Sequence, residues 1–217
     1  EAAAESQGMK DARPERGSHE PGTNWYYNNW DFNTLGTIFD QETGKSFYQA
    51  FDERIAQPIG MQDFFPERLQ YSYEYWFSQH PYYGTRISAR DLARFGVLFL
   101  EDGAWEGTQV IPAEWVAESL QRYSDDAWVA HARLDRIGRY FRDLGYGYQW
   151  WSATVGDHRV DYAAGHGGQY IILVHELDMA IVVVGDPFYI VHTAESWKHE
   201  QANLNIAGTF ISSLPGD

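Results

Sequence analysis

Two short clusters carry residue types suited to acyl-transfer chemistry. In the first, Tyr27-Asn28-Asn29, a phenol and a carboxamide stand two positions apart just ahead of a helical pattern. A phenol can pass a proton, and an amide side chain can both donate and accept hydrogen bonds. A phenol titrates near pH 10, so a basic role near neutrality requires cations that stabilise the phenolate. The second cluster, Gly165-His166-Gly167-Gly168-Gln169, opens the apolar run Tyr170–Val174. Glycines at the start of a strand let a ligand approach the backbone closely. Backbone N–H groups there can face a developing oxyanion, and His166 adds a cation or a hydrogen-bond donor. Taken singly, both clusters have an ordinary structural explanation: an isolated Tyr-x-Asn in an aromatic-rich chain, and a glycine turn that happens to hold one histidine.

Other chemistries fit less well. With no cysteine, disulfides and thiolate catalysis are excluded. His158 and His166 flank Asp161, but no helical His-x-x-x-His accompanies them, so no metal is expected. His19, His80, His131, His175, His192 and His199 read as structural or surface histidines. Glu176 and Asp178 sit in a short turn where carboxylates are ordinary, not in a glycosidase pair. A formal net charge of −15 without a dense basic patch argues against a nucleic-acid partner. No apolar run approaches the roughly 18 residues of a membrane span, and residues 1–20 are polar and charged, unlike a signal peptide.

The elements that must position the two clusters follow from periodicity. Residues 1–24 read as a loop ending at Pro21-Gly22. A helix follows, with Asn29 or Asp31 near its cap and Phe32, Leu35 and Phe39 on one face, stopping near Gly44. A second helix is expected from Ser46 to about Ala56, and residues 62–86 as ordered, aromatic-rich loop. Ser88-Ala89-Arg90-Asp91 resembles a capping box ahead of Leu92, Phe95, Leu98 and Phe99, with Gly103 as the stop. Pro112 suits the start of another helix, to about Gln121. The stretch 122–145 mixes charge and aromatics and reads as a surface excursion. Gln149–Ala153, Arg159–Ala164, Gln169–His175 and Met179–Gly185 then look like an antiparallel meander. A closing helix is expected near Glu195–Ser213, with Trp197, Leu204, Ile206, Phe210 and Ile211 as its apolar residues. The expectation is an α+β fold in one partial domain: a loop (1–24), a mainly helical part (25–145), and a sheet with its closing helix (146–217).

In this order the motifs resemble the serine β-lactamase and penicillin-binding-protein superfamily. Tyr27 through Gly36 is similar to a class C-type second motif with its following helix. Gln57-Pro58-Ile59-Gly60-Met61 is similar to the turn that comes next, Ser88 through Gly96 to a recurrent helix, and Ile111 through Val116 to another. Ala163 through Gln169 resembles the third motif, with His166-Gly167-Gly168 where β-lactamases carry a Lys-Thr-Gly pattern. The resemblance implies an acyl-enzyme hydrolase with an antiparallel sheet flanked by helices and a helical subdomain, needing no cofactor and no metal. It implies Tyr27 as proton carrier and Asn29 as the group that orients the lysine and the substrate. His166 would bind a substrate carboxylate or support the Tyr27 hydroxyl, and Gln169 would lend its N–H to the oxyanion hole. Gly167 and Gly168 would admit the substrate. Trp30 and Trp150, with Trp25, Tyr26 and Trp151, would line the cleft or pack the core. Histidine in place of lysine points to esters, short amides or D-amino-acid peptides as substrates. A periplasmic or secreted setting follows from the resemblance alone.

One departure stands out. The only lysines are Lys10, Lys45 and Lys198, and the residues three before them are Gln7, Glu42 and Glu195, so no Ser-x-x-Lys occurs. A Gly-x-Ser-x-Gly elbow is absent as well. The nucleophile is therefore expected on a segment upstream of this chain, which would be the chain's main protein partner. The alternative is a catalytically inactive relative that binds a peptide, a glycan or a protein. An unrelated aromatic-rich carbohydrate-binding domain would not explain motifs that occur in this order.

Overall fold

In the computed structural model, Asn28 starts the first helix. Its backbone is extended, its side-chain oxygen accepts the Trp30 N–H at 3.1 Å, and its amide donates to Asp31 at 3.1 Å. The cap thus lies one residue before Asn29, and Asp31 is the cap's partner. The structure describes residues 13–73, 75–76, 78–125, 137–185 and 196–216, in two units divided between Ile87 and Ser88. Residues 1–12, His131 and His192 lie outside the described residues.

In the first unit, α1 (Asn29–Thr43) ends at Gly44, whose φ of 66° is the left-handed turn that glycine adopts without strain. Ser46 caps α2 (Phe47–Phe51), which runs on into one π-helical turn, Asp52–Ala56. Phe47 is the hub of an aromatic core, with Phe39, Tyr48, Phe51 and Tyr83 rings 5.8–6.4 Å away. A Cβ on Gly36 would lie 2.2 Å from the Tyr83 ring, so that ring lies directly on the α1 backbone. The expected apolar face of α1 is split. Phe39 joins this core, whereas Leu35 is 57% exposed and Asn33 is buried. Among the described residues, 62–86 are loop apart from a 3-10 turn at Pro66–Arg68 and a bridge between Ser72 and Tyr82.

The second unit opens with α3 (Ala89–Leu100), whose Ser88 hydroxyl accepts the Asp91 N–H at 3.4 Å. A short hairpin, β1 (Ala104–Trp105) and β2 (Thr108–Gln109), turns through Glu106 and Gly107, both at positive φ. Then α4 (Ala113–Leu120) follows Pro112. Among the described residues, the main sheet has six antiparallel strands in sequence order: β3 (Ser124–Asp125), β4 (Phe141–Tyr146), β5 (Trp151–Val155), β6 (His158–Gly165), β7 (Gln169–Val174) and β8 (Met179–Val183).

The sheet therefore reaches back into residues expected to be a surface excursion. Within β4, Phe141, Leu144 and Tyr146 are buried. A register shift between Arg142 and Gly145, with Asp143 at φ 53°, breaks the alternation that would have marked the strand. Arg122 fills this bulge, donating to the Asp143 carboxylate at 2.9 Å and to the Leu144 carbonyl at 3.3 Å.

Every residue of β7 from Tyr170 to Val174 is buried, which requires cover on both faces. On one face, Ile171 and Leu173 join Phe99, Val116 and Trp150 in a core beneath α3. Gly96 permits that approach, because a Cβ there would lie 3.0 Å from Ile171 and 3.1 Å from Ala180. From the other face, the Tyr170 hydroxyl donates to the Glu200 carbonyl of α5 (Ser196–Ile211) at 3.1 Å. α5 buries Leu204, Ala207 and Ile211, while Ile206 and Phe210 face outward; the Trp197 side chain lies outside the described residues. Helices with an antiparallel meander make this an α+β fold.

Candidate active site

The β6–β7 turn is built by glycine. Gly165 pairs with Gln169, and between them Gly167 and Gly168 take φ of 90° and 85°. L-residues with a side chain rarely adopt such values. The Gly168 N–H closes the turn on the Gly165 carbonyl at 3.2 Å.

α5 grips this turn from one side. Glu200 Oε1 accepts the Gly167 N–H at 2.9 Å and lies 2.8 Å from His166 Nδ1. One helical turn on, the Asn203 amide donates to the Gly168 carbonyl at 3.3 Å. Just beyond β8, the Gly185 carbonyl accepts from the Gln169 side chain at 3.0 Å. A Cβ on Gly185 would stand 2.2 Å from the Gly167 carbonyl oxygen, so only glycine fits. The Glu200 side chain is 15% exposed, that of His166 71%. The turn is thus rigidly framed and presents an imidazole.

The other cluster belongs to the first unit. Tyr27, Asn29 and Trp30 gather at the start of α1, with Asn29 its first residue. The Tyr27 ring meets Phe32 edge-on at 5.3 Å, and burial raises its hydroxyl pKa above the ordinary phenol value. Such a tyrosine stays protonated unless a cation is brought to it. Trp30 is partly exposed and stands edge-on to the His80 ring at 5.2 Å.

The tryptophans of the sheet have a packing explanation. Trp150 is 6% exposed, with its ring 4.7 Å from Phe99. Trp151 is buried against Tyr146 at 4.7 Å. Glu200 and Asn203, which shape the turn, went unrecognised in the sequence. Their signal is faint, a polar pair three apart on a helix whose buried positions are Leu204, Ala207 and Ile211.

A second polar cluster lies elsewhere in the sheet unit. His158, 1% exposed, faces Glu176 at 2.8 Å and the Leu214 carbonyl at 3.4 Å, while His175 reaches Asp161 at 3.1 Å. Among the described residues, no three His, Asp or Glu side chains gather as metal ligands would.

A family model described as Beta-lactamase matches residues 2–202. No curated protein is significantly similar to the chain. Several solved structures share the fold. One, from Bacillus anthracis and provisionally named a 6-aminohexanoate-dimer hydrolase, is 23% identical with a TM-score of 0.59; the match covers 92% of this chain and 47% of that one. Unliganded simvastatin synthase LovD from Aspergillus terreus is 12% identical with a TM-score of 0.60, covering 90% and 57%. EstCE1, a hydrolase with promiscuous acyltransferase activity, is 14% identical with a TM-score of 0.54, covering 86% and 57%. The chain spans about half the length of these structures.

Proposed function

Because the chain belongs to the Beta-lactamase family, we propose that it is the C-terminal portion of a serine hydrolase acting through an acyl-enzyme on an ester, an amide or a D-amino-acid peptide. The observation that carries this reading is the β6–β7 turn, whose two left-handed glycines and framed imidazole lie at the head of a buried strand. The nucleophilic serine and its lysine come from a segment upstream. That serine attacks the substrate carbonyl, and its proton passes to Tyr27 with the lysine's help. Tyr27 then hands the proton to the alcohol or amine that departs as its bond to the acyl carbon breaks, and water later frees the acyl group from the serine. Asn29 orients the lysine and the substrate. The lysine also supplies the cation that a buried phenol needs before it can act as a base. The Gln169 N–H forms part of the oxyanion hole, Gly167 and Gly168 let the acyl group approach, and His166 hydrogen-bonds the substrate. Trp30, half-exposed beside Asn29, flanks the substrate.

Exposed apolar side chains support an upstream partner. Leu35 and Ile38 on α1 are 57% and 49% exposed, and among the described residues β8 pairs only with β7. These are surfaces that the upstream segment would cover.

The test is labelling by a fluorophosphonate probe, read by intact mass. The 217-residue chain should stay unlabelled, and the same chain joined to its Ser-x-x-Lys segment should gain one adduct on that serine. Stoichiometric labelling of a serine within this chain, or none in the joined protein, would overturn the reading. The second outcome favours a catalytically inactive relative that binds a peptide, a glycan or a protein, a reading supported by the absence of Ser-x-x-Lys from these 217 residues.

A further inference from the structure

Glu200 does two things with one oxygen. A carboxylate only accepts hydrogen bonds, and Oε1 already receives the Gly167 N–H at 2.9 Å. His166 Nδ1, 2.8 Å from the same oxygen, must therefore carry a proton. That leaves Nε2 as the nitrogen Glu200 does not use, on a ring that is 71% exposed. The pairing also sets the local charge. When His166 is protonated, the Glu200 carboxylate cancels it; when His166 is neutral, the pair is an anion. In neither state does the pair offer a net positive charge. Among the described residues, the other titratable side chains at this end of α5 are Lys198, which is exposed, and His199, whose ring lies 3.1 Å from the place a Gly185 Cβ would occupy.

We propose that Glu200 is the positioning residue of the His-Gly-Gly turn. It holds Nδ1 of His166 protonated toward α5 and turns Nε2 to the substrate. By cancelling the imidazolium charge, it also makes the turn favour uncharged esters and amides over substrates bearing a carboxylate beside the scissile bond. The substrate part rests on the hydrolase reading above; the positioning part does not.

The test uses the chain joined to its upstream segment, with its histidine rings labelled with 15N. In the unsubstituted chain, His166 should show a protonated Nδ1 and an unprotonated Nε2 once its ring is neutral. Glu200→Gln keeps an acceptor for the Gly167 N–H but loses the charge, and should move His166 toward the Nε2–H form; Glu200→Asp should restore the original pattern. Asn203→Ala, which loosens the same turn without altering charge, should leave the pattern unchanged. An Nε2–H ring in the unsubstituted chain, or equal changes in Glu200→Gln and Asn203→Ala, overturns the positioning role.

Sodium acetate then serves as the carboxylate probe. Its half-effect on the His166 ring signals should fall at an about ten-fold lower concentration in Glu200→Gln, the scale on which one adjacent charge acts. Equal responses in the two proteins, or none in either, overturn the charge-cancelling role. None of these readouts needs a nucleophile, so their failure and the failure of the labelling test are separable.

Discussion

His158 and Glu176 form an ion pair inside the sheet unit, with Nδ1 donating to the carboxylate at 2.8 Å while Nε2 faces the Leu214 carbonyl at 3.4 Å. Both partners only accept, so satisfying them requires the doubly protonated ring. The Glu176 hydrogen bond, aided by the Leu214 carbonyl and by the charges of Glu176 and Asp157, raises the His158 pKa above the ordinary imidazole value despite burial.

A raised histidine pKa stabilises the folded chain when the ring is charged. The contribution is complete below the unfolded value of about 6.5 and disappears as pH rises through the higher folded value. The melting temperature should therefore fall as pH rises above about 6.5, with a weaker dependence in Glu176→Gln. Identical profiles for the two proteins would remove His158 from the account.

Glycine substitutions separate conformation from space. Gly44 has a positive φ but open surroundings, so Gly44→Ala should cost about 1 kcal/mol from backbone strain alone. At Gly185 the obstacle is the Gly167 carbonyl, and the overpacking should cost about 1–3 kcal/mol. It should also shift the amide signals of residues 165–169, which Gly44→Ala leaves in place. Urea midpoints and amide spectra decide it.

The two asparagines at the start of α1 should divide structure from chemistry. Asn28→Ala removes the cap and should cost about 1 kcal/mol, seen as a lower urea midpoint. Asn29→Ala keeps the cap and should leave the midpoint nearly unchanged. In the protein joined to its Ser-x-x-Lys segment, Asn29→Ala should slow fluorophosphonate labelling at least ten-fold, about 1.4 kcal/mol of barrier.

Charging the exposed side of α1 tests its proposed cover. Leu35→Glu with Ile38→Glu should change the stability of this chain by no more than about 0.5 kcal/mol. In the joined protein the same pair should destabilise strongly, because two carboxylates would then be buried. Equal thermal shifts in both settings would mean that no segment covers this face.

Much of this architecture was legible in local chemistry. Ser46, Ser88, Gly44 and Gly103 mark helix limits by side-chain capping and left-handed backbone, signals that need no tertiary partner. β6, β7 and β8 stood out as apolar runs separated by glycine or by Asp178 at φ 49°. β4 did not, because its bulge spends Arg142 and Asp143 on one irregular step and its stabiliser, Arg122, is distant in sequence. The exposure of Leu35 and Ile206 was not legible, because periodicity gives the spacing of an apolar side but not whether anything covers it. His166 and its glycines could be found as a motif, whereas Glu200 is recognisable only once α5 is folded against the turn.

The strand order bears on how the sheet assembles. Each strand from β3 to β8 pairs with its immediate successor, so every ladder can close as a hairpin. The longest connection is the one from Asp125 to Phe141. Closing short loops loses little chain entropy, and local pairings favour rapid formation. The slow events should be those that join distant stretches: α3 settling on β7 and β8, and α5 fastening the His166 turn. A nascent sheet could thus form its strands early, yet frame the His166 turn only once α5 has been made and folded against it.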